Sequence, residues 1–168
     1  MALTGTIAIN VNMSHTKAGV DLSTPKDSLA RSYSLAFADG TAVDQADEIY
    51  HDQVALAASA NTTLDLTGGL TDAFGTAITG AEIACLIIKN NDTVTTLSVG
   101  NATNAVESMW ESSTDAIIIN PLGVFMIGST SATGHSLTAT TADELKLTRG
   151  AGTVTDNTFD IIIVLRSA

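Results

Sequence analysis

Short apolar segments separated by turn residues are the feature of this sequence that most restricts its fold. After residue 53 they arrive as VALAAS, TTLDLTGG, ITGAEIACLIIKNND and TVTTLSVGN, and the pattern continues to the closing TFDIIIVLR. Regular short strands bounded by Asn, Asp and Gly are typical of an antiparallel sandwich or barrel. Almost no amphipathic helix of three turns can be written, which excludes a doubly wound α/β fold.

The composition favours the same fold class. Of the 168 residues, 25 are threonine, and such a surplus of small and β-branched residues favours pleated surfaces over helices. A chain of this length buries one sizeable core. The turn signals delimit roughly nine or ten strands, a number that favours a jelly-roll-like, antiparallel β-sandwich.

Residues 1–30 are predicted to form an N-terminal strand followed by an extended arm. Ile7, Ile9 and Val11 alternate with small or polar residues, which is typical of a half-buried strand. Residues 12–30 lose this alternation and collect Ser, Thr, Gly, Pro and charges of both signs. We therefore expect them to extend away from the rest of the fold.

Residues 31–168 are predicted to form the β-sandwich domain. It begins with a strand over 31–37, and the stretch IIKNNDTVTTLSVG is the clearest predicted hairpin. Residues 101–112 are the best candidate for a helical turn in the second half. The acidic residues 41–52 fit either a short helix or a bent edge strand.

The glycine-rich stretch TGGLTDAFG, residues 67–75, raises the question of a phosphate-binding loop. Such a loop leads directly into a helix N-terminus, whereas this stretch is flanked by strands and lacks the G-K-[ST] lysine. We interpret it as a corner of the sheet. Asp72 then caps a turn, while Leu70 and Phe74 pack beneath the sheet.

Charge and hydropathy exclude two classes of partner. The formal net charge of -11 repels phosphate backbones, so we expect no contact with nucleic acid. No apolar run reaches the roughly 18 residues that a membrane span needs, and the first residues lack the pattern of a signal peptide. We therefore expect no membrane association and synthesis in a cytoplasm.

The residues that carry enzymatic chemistry are few and scattered. The three histidines lack the spacing of a zinc site, and Cys85 lies inside the apolar run AEIACLII, as a buried residue does. The acidic residues near position 45 do not follow a calcium-loop pattern. We predict a protein that is not an enzyme, with no catalytic residues, no metal and no cofactor.

Four residues are candidate interface positions. Trp110, in the segment ESMWES, anchors its loop either to the core, which we favour, or to a neighbouring subunit. Tyr50 is the second candidate. His15 and Lys17, in the predicted arm, are the other two.

Several segments occur in an informative order between Leu56 and the C-terminus. They are SANTTLDLTGGLTDAFG, TLSVGNATNAV, INPLGVFMIGS, ATGHSLTATTADELKLT and TFDIIIV. This order resembles that of small structural proteins of tailed bacteriophages. The resemblance implies a non-enzymatic virion protein, most concretely a decoration or cement protein on the outer surface of the head.

Such a role implies particular partners. The resemblance implies binding to the major capsid protein as a homo-oligomer, with a trimer favoured, and an arm that lies across neighbouring subunits. The alternative is a head-fibre, tail-spike or receptor- or glycan-binding module. Its loops STSATGHS and GAGTVTDN would then contact the ligand.

Overall fold

The computed structural model describes residues 2–18, 24–152 and 156–167. Within these ranges the protein is all-β, with twelve strands and no helix, and every pairing between the strands is antiparallel. The strands are β1 (Gly5–Thr16), β2 (Lys26–Phe37), β3 (Glu48–Ala57), β4 (Asn61–Asp65), β5 (Thr67–Thr71), β6 (Ala77–Asn90), β7 (Leu97–Gly100), β8 (Ala116–Ile119), β9 (Val124–Gly128), β10 (His135–Ser136), β11 (Glu144–Arg149) and β12 (Asp156–Ser167). The all-β prediction is confirmed, although the strands outnumber the nine or ten expected.

The strands form three sheets. In the largest sheet the order is β10–β6–β12–β3, and β5 and β9 also pair with β6. The second sheet has the order β4–β11–β7–β8, and β1 pairs with β2 alone. We call these the β6–β12 sheet, the β7–β11 sheet and the arm hairpin. Because β6 is 14 residues long, three short strands pair in succession along one of its edges while β12 occupies the other.

The main core contains buried residues from both larger sheets. Alternate residues of the strands contribute, as the pleat of a β-strand requires, except that a register shift opposite Ile83 and Cys85 places Ile83 and Leu86 on the same face. They include Ile83, Leu86 and Ile88 of β6, Phe159, Ile161 and Ile163 of β12, Leu97 and Val99 of β7, and Leu145 and Leu147 of β11. Burying one such side chain stabilises the fold by about 1.5–3 kcal/mol, so this cluster is the principal source of stability.

A second, smaller cluster lies on the other face of the β6–β12 sheet. It contains Ala84, Cys85 and Val164, packed beneath Phe37 at the end of the arm hairpin and beside Ala46. The middle of β6 is therefore buried on both faces, which explains why its sequence is a continuous apolar run rather than an alternating one. The prediction that Cys85 is buried is confirmed.

The strands β6 and β7 do not form the hairpin predicted for IIKNNDTVTTLSVG. β7 pairs with β8 and β11, so the chain crosses from one sheet to the other after Asn90. The Asn90 side chain is buried and its amide donates to the carbonyl oxygens of Thr95 (2.9 Å), Ile119 (3.3 Å) and Asn120 (3.2 Å). The turn residues were recognised correctly, but turn residues do not specify which strand pairs with which.

The stretch TGGLTDAFG forms β5 and the turn into β6. Asp72 caps this turn as predicted, because its Oδ1 accepts hydrogen bonds from the amides of Phe74 (2.9 Å) and Thr76 (2.8 Å). Leu70 packs against the main core, as expected. The prediction for Phe74 is wrong: its side chain is 79% exposed, and it lies in the turn beyond the last pair of β5 and β6, Thr71 and Ala77.

Two segments without a clear pattern contain turns. Residues 39–45 form bends and a turn that lead into β3, an edge strand paired only with β12, so the strand alternative applies from residue 48. Residues 101–112 form turns rather than a helix, with the amides of Met109 and Trp110 both donating to the Val106 carbonyl.

No helix in the described ranges has the length and apolarity that a membrane span requires.

The predicted arm is largely a pair of strands. β1 extends to Thr16 and β2 starts at Lys26, so residues 12–16 and 26–30 are paired rather than patternless, and the predicted boundary at residue 30 lies inside β2. The sequence showed no strand pattern here because neither face of this part of the hairpin is buried. Residues 19–23, which belonged to the same prediction, lie outside the described residues.

Candidate functional site

The arm hairpin has two chemically different faces. Residues directly opposite each other share a face, and the face that contains Ile7 and Leu35 continues outward through mostly apolar residues. We call Ile9, Val11, Met13, Leu29 and Tyr33 the apolar arm face; Arg31 lies on the same face, opposite Val11. The opposite face consists of small and polar residues such as Asn12 and Ala30.

No described residue covers most of the apolar arm face. Met13 is 66% exposed and Tyr33 is 60% exposed, and Ile9 and Leu29 are also exposed. At about 3.3 Å per residue, the part of β1 beyond Ile9 is about 23 Å long. A two-stranded hairpin of this kind has little stability of its own in water, so a partner that covers this face would stabilise it.

The base of the arm hairpin is fixed to the β6–β12 sheet by packing. Ile7 and Leu35 pack on the small cluster around Cys85, and Phe37 is buried there. Gly128 in β9 permits this close approach, because a Cβ atom at that position would lie 2.9 Å from Leu35 Cδ1 and 2.8 Å from Cys85 Sγ. The hairpin is therefore attached at one end and exposed over the remainder of its length.

Buried Arg166 ties together the loops next to the hairpin base. Its Nε donates to the Gln45 carbonyl (2.8 Å), Nη2 donates to the Ser131 carbonyl (2.8 Å), and Nη1 donates to Glu82 Oε2 (3.0 Å). One guanidinium thus connects β12, β6 and two loops. Asp47 adds to this region by accepting a hydrogen bond from the Ser167 amide at 2.8 Å.

The β6–β12 sheet carries a second apolar surface beside the hairpin base, in which Met126 and Ile87 are partly buried and two further residues are exposed. Met126, Ile87 and Ile162 form one row across β9, β6 and β12, and Val124 lies in the next row beside Lys89. Val124 is 61% exposed and Ile162 is 38% exposed. We call these four residues the outer strip. They lie on the same face as the small cluster, one or two rows beyond the part that the hairpin covers.

The charges are distributed unequally between the hairpin and the rest of the protein. Residues 1–37 contain three of the seven Lys and Arg residues but only two of the 18 acidic residues. Two of the remaining four cations, Arg149 and Arg166, have buried side chains paired with Asp92 and Glu82. Residues 38–168, which we call the body, are therefore strongly acidic at the surface. Residues 1–37, which we call the hairpin segment, are slightly basic.

Trp110 lies against the main core, as favoured from the sequence. Its indole ring stacks on Phe125 with the ring centroids 6.3 Å apart, and both side chains pack on the core. The indole Nε1 is buried and has no acceptor within the described part of the chain. The structure thus accounts for the anchoring role, and a contact with another subunit stays a prediction.

The structure does not bring the other three interface candidates together with Trp110 as one site. Tyr50 in β3 is half-buried against the core, and burial together with nearby Asp52 raises its pKa to about 12. Its hydroxyl donates to Asp52 Oδ2 at 3.2 Å. His15 and Lys17 lie at the exposed outer end of the arm hairpin, where His15 is opposite Asp27.

The buried pair of Arg149 and Asp92 has a structural role. Arg149 Nε lies 3.3 Å from Asp92 Oδ2, and Nη1 donates to the Leu56 carbonyl at 3.0 Å. Burial alone would raise the pKa of Asp92, but hydrogen bonds from the Thr95 hydroxyl and the Val94 amide outweigh it and hold the pKa well below its usual range. The pair fixes the crossing between the two sheets.

The polar residues that could perform chemistry are dispersed. His51 is exposed on the outer face of β3, and the Nδ1 atom of His135 lies 2.9 Å from the Ser108 carbonyl oxygen. Across residues 2–18, 24–152 and 156–167, no group of three or more His, Cys, Asp or Glu side chains is arranged to hold a metal ion.

The sequence did not predict the apolar arm face or the outer strip. One signal was available for the apolar arm face. When the two segments are aligned as a hairpin, Met13 and Leu29 fall on the same face as Ile9 and Tyr33. The outer strip has no such signal, since it consists of residues from three strands that are distant in the sequence.

No protein-family model matches this chain, and neither a curated protein nor a solved structure is significantly similar to it.

Proposed function

We propose that this chain is a non-enzymatic structural protein of a bacteriophage particle, a decoration or cement protein bound to the major capsid protein on the outside of the head. The observation that carries the proposal is the arm hairpin, a rigidly based element whose apolar face is uncovered over most of its length. An exposed apolar surface of this kind marks a site of protein contact. The order of sequence segments, which resembles that of small structural proteins of tailed bacteriophages, supports the same proposal.

The body of the protein suits an exterior position. Its acidic surface is repelled by packaged DNA, and it presents to solvent a compact arrangement of antiparallel strands. We further infer that the two larger sheets face each other as a β-sandwich, because one buried cluster contains side chains from both. A rigid module of this type holds its attachment surfaces in fixed positions on a particle.

The test is binding of the purified protein to empty phage heads. We expect saturable binding with a fixed number of copies per head and symmetric placement in electron micrographs. A variant in which residues 10–32 are replaced by Asn-Gly keeps the hairpin base and should bind at least about tenfold more weakly, through loss of interface contacts or of multivalent attachment. Binding to host cells or glycans, with no binding to heads, would instead support a receptor-binding module and contradict decoration.

A further inference from the structure

We propose that the apolar arm face of one copy of this chain binds the outer strip of a second copy. The contact is heterologous: each copy inserts its hairpin into a neighbour and receives a hairpin from another neighbour. This inference goes beyond the proposed function and does not require it, because it concerns the purified protein alone.

The two surfaces match in chemistry and in form. The apolar arm face is a two-stranded ribbon of aliphatic side chains with one tyrosine, interrupted by Arg31 opposite Val11, and the outer strip is an apolar row across three strands with Val124 in the next row. Two β-layers pack face to face at about 10 Å. Within one chain the base of the hairpin already packs on this face of the sheet through Ile7 and Leu35. A second hairpin on the next rows would continue the same layer.

Among the described residues, the hairpin base packs beside Ile87 and Met126 but leaves the rest of the strip of its own chain uncovered. Met13 remains 66% exposed and Val124 61% exposed while the base of the hairpin is packed in place. Two uncovered apolar surfaces on one rigidly connected molecule are both buried when copies join end to end. A hairpin-to-hairpin dimer would bury the arm face but leave the outer strip in water.

The charge distribution favours another copy as the partner. The hairpin segment contains Lys17, Lys26 and Arg31, while residues 38–168 contain 16 acidic and only four basic residues. Of those four cations, Arg149 and Arg166 are buried in ion pairs, which leaves the acidic residues largely uncompensated. A slightly basic hairpin is therefore attracted to the acidic body of a second molecule, and this attraction weakens with salt.

Sedimentation velocity across a concentration series tests the self-association. We expect the unmodified chain to form oligomers, and Met13→Asp to weaken the association by at least about tenfold because a charge would be buried in the contact. Asn12→Asp places the same charge one residue away on the polar face and should leave association unchanged. A chain that stays monomeric, or an equal loss in both variants, would overturn the proposal.

Chemical crosslinking tests the identity of the two surfaces. Chains with Met13→Cys and chains with Ile162→Cys are mixed and treated with a short bismaleimide. We expect mixed dimers linked between positions 13 and 162, and a much lower yield when Asn12→Cys replaces Met13→Cys. Crosslinks only between two copies of position 13 would mean that the hairpins pair with each other, which contradicts the proposal. Because no phage heads are present, these results are independent of the head-binding test.

Discussion

Met13 and Leu29 lie directly opposite each other on one face of the arm hairpin, and both are exposed. The apolar face therefore extends beyond the part of the hairpin that packs on the body. The packed and exposed parts have different consequences for stability. The base covers the cluster around Cys85, while most of the outer part is exposed in the described part of the chain.

We expect the outer hairpin to be dispensable for folding. Replacing residues 10–32 by Asn-Gly retains Ile7 and Leu35 on the sheet and should shift the melting temperature by less than about 4 °C, which corresponds to roughly 1 kcal/mol in a chain of this size. Thermal unfolding followed by circular dichroism measures the shift, at a concentration where the unmodified chain is monomeric. A control deletion of residues 2–37 exposes Val164 and Cys85 and should lower the melting temperature much further. Equal losses in the two variants would contradict the division of the hairpin into two parts.

We expect substitution of the buried Arg166 to lower the free energy of unfolding strongly. Arg166→Ala leaves the Gln45 and Ser131 carbonyls without this donor and Glu82 without its ion-pair partner, although the Gly134 amide still donates to Glu82 Oε2 at 3.1 Å. Because each buried acceptor left without a donor costs about 1–3 kcal/mol, we expect the two carbonyls to lower the free energy of unfolding by about 2–6 kcal/mol. Urea unfolding measures the loss. Glu82→Gln is the matched comparison, because the Glu82 side chain is 27% exposed and Arg166 keeps its carbonyl acceptors. We expect that variant to lose only about 1 kcal/mol, and a larger loss than in Arg166→Ala would show that the carboxylate, not the arginine, organises these loops.

The low pKa of Asp92 predicts a specific dependence of stability on pH. A carboxyl whose pKa is lower in the folded state than in the unfolded state, where it is about 3.9, contributes stability above that value and loses it as the pH falls toward the folded value. Asp92→Asn should therefore be much less stable than the unmodified chain at pH 7. The difference in free energy of unfolding should shrink as the pH falls below about 4. The exposed Glu107→Gln serves as a control whose difference stays small throughout, and a constant Asp92→Asn difference down to pH 2.5 would refute this account.

The reactivity of the Cys85 thiol measures whether the hairpin base covers it. Burial raises the pKa of its thiol to about 11, so the reactive thiolate is scarce at pH 8 and the side chain is covered by the hairpin base. We expect slow reaction with a thiol reagent in the native protein and at least about tenfold faster reaction in Leu35→Ala. Tyr33→Ala, two residues outward on the same face, should react at the native rate. If Leu35→Ala also reacts at the native rate, the base of the hairpin does not protect Cys85.

The fold class and several strands could be predicted because local patterns determine them. The strand predicted over 31–37 lies within β2, the segment TFDIIIVLR lies within β12, and Asp72 caps its turn through hydrogen bonds within four residues of itself. Each of these features depends on neighbours in the sequence. Composition favoured the same all-β assignment, because threonine and β-branched residues prefer pleated surfaces.

The features that were predicted wrongly or missed depend on residues that are distant in the sequence. Asn90 was assigned to a hairpin because nothing in its neighbourhood shows that β7 pairs with β8 and β11. The outer part of the arm hairpin was missed because both of its faces are exposed and polar residues interrupt the alternation, which becomes visible only when the two strands are aligned. Arg166 gave no signal, since its carbonyl partners at Gln45 and Ser131 are 121 and 35 residues away.

The position of β12 in its sheet has a consequence for synthesis on the ribosome. β12 pairs with β6 on one side and with β3 on the other, although these strands precede it by about 65 residues or more in the chain. Neither β3 nor the edge of β6 that faces β12 has its partner until residue 167 has left the exit tunnel. The β6–β12 sheet is therefore completed only after translation of β12. During that interval the nascent chain exposes unpaired, apolar strand edges, which is the period in which it is most prone to aggregate.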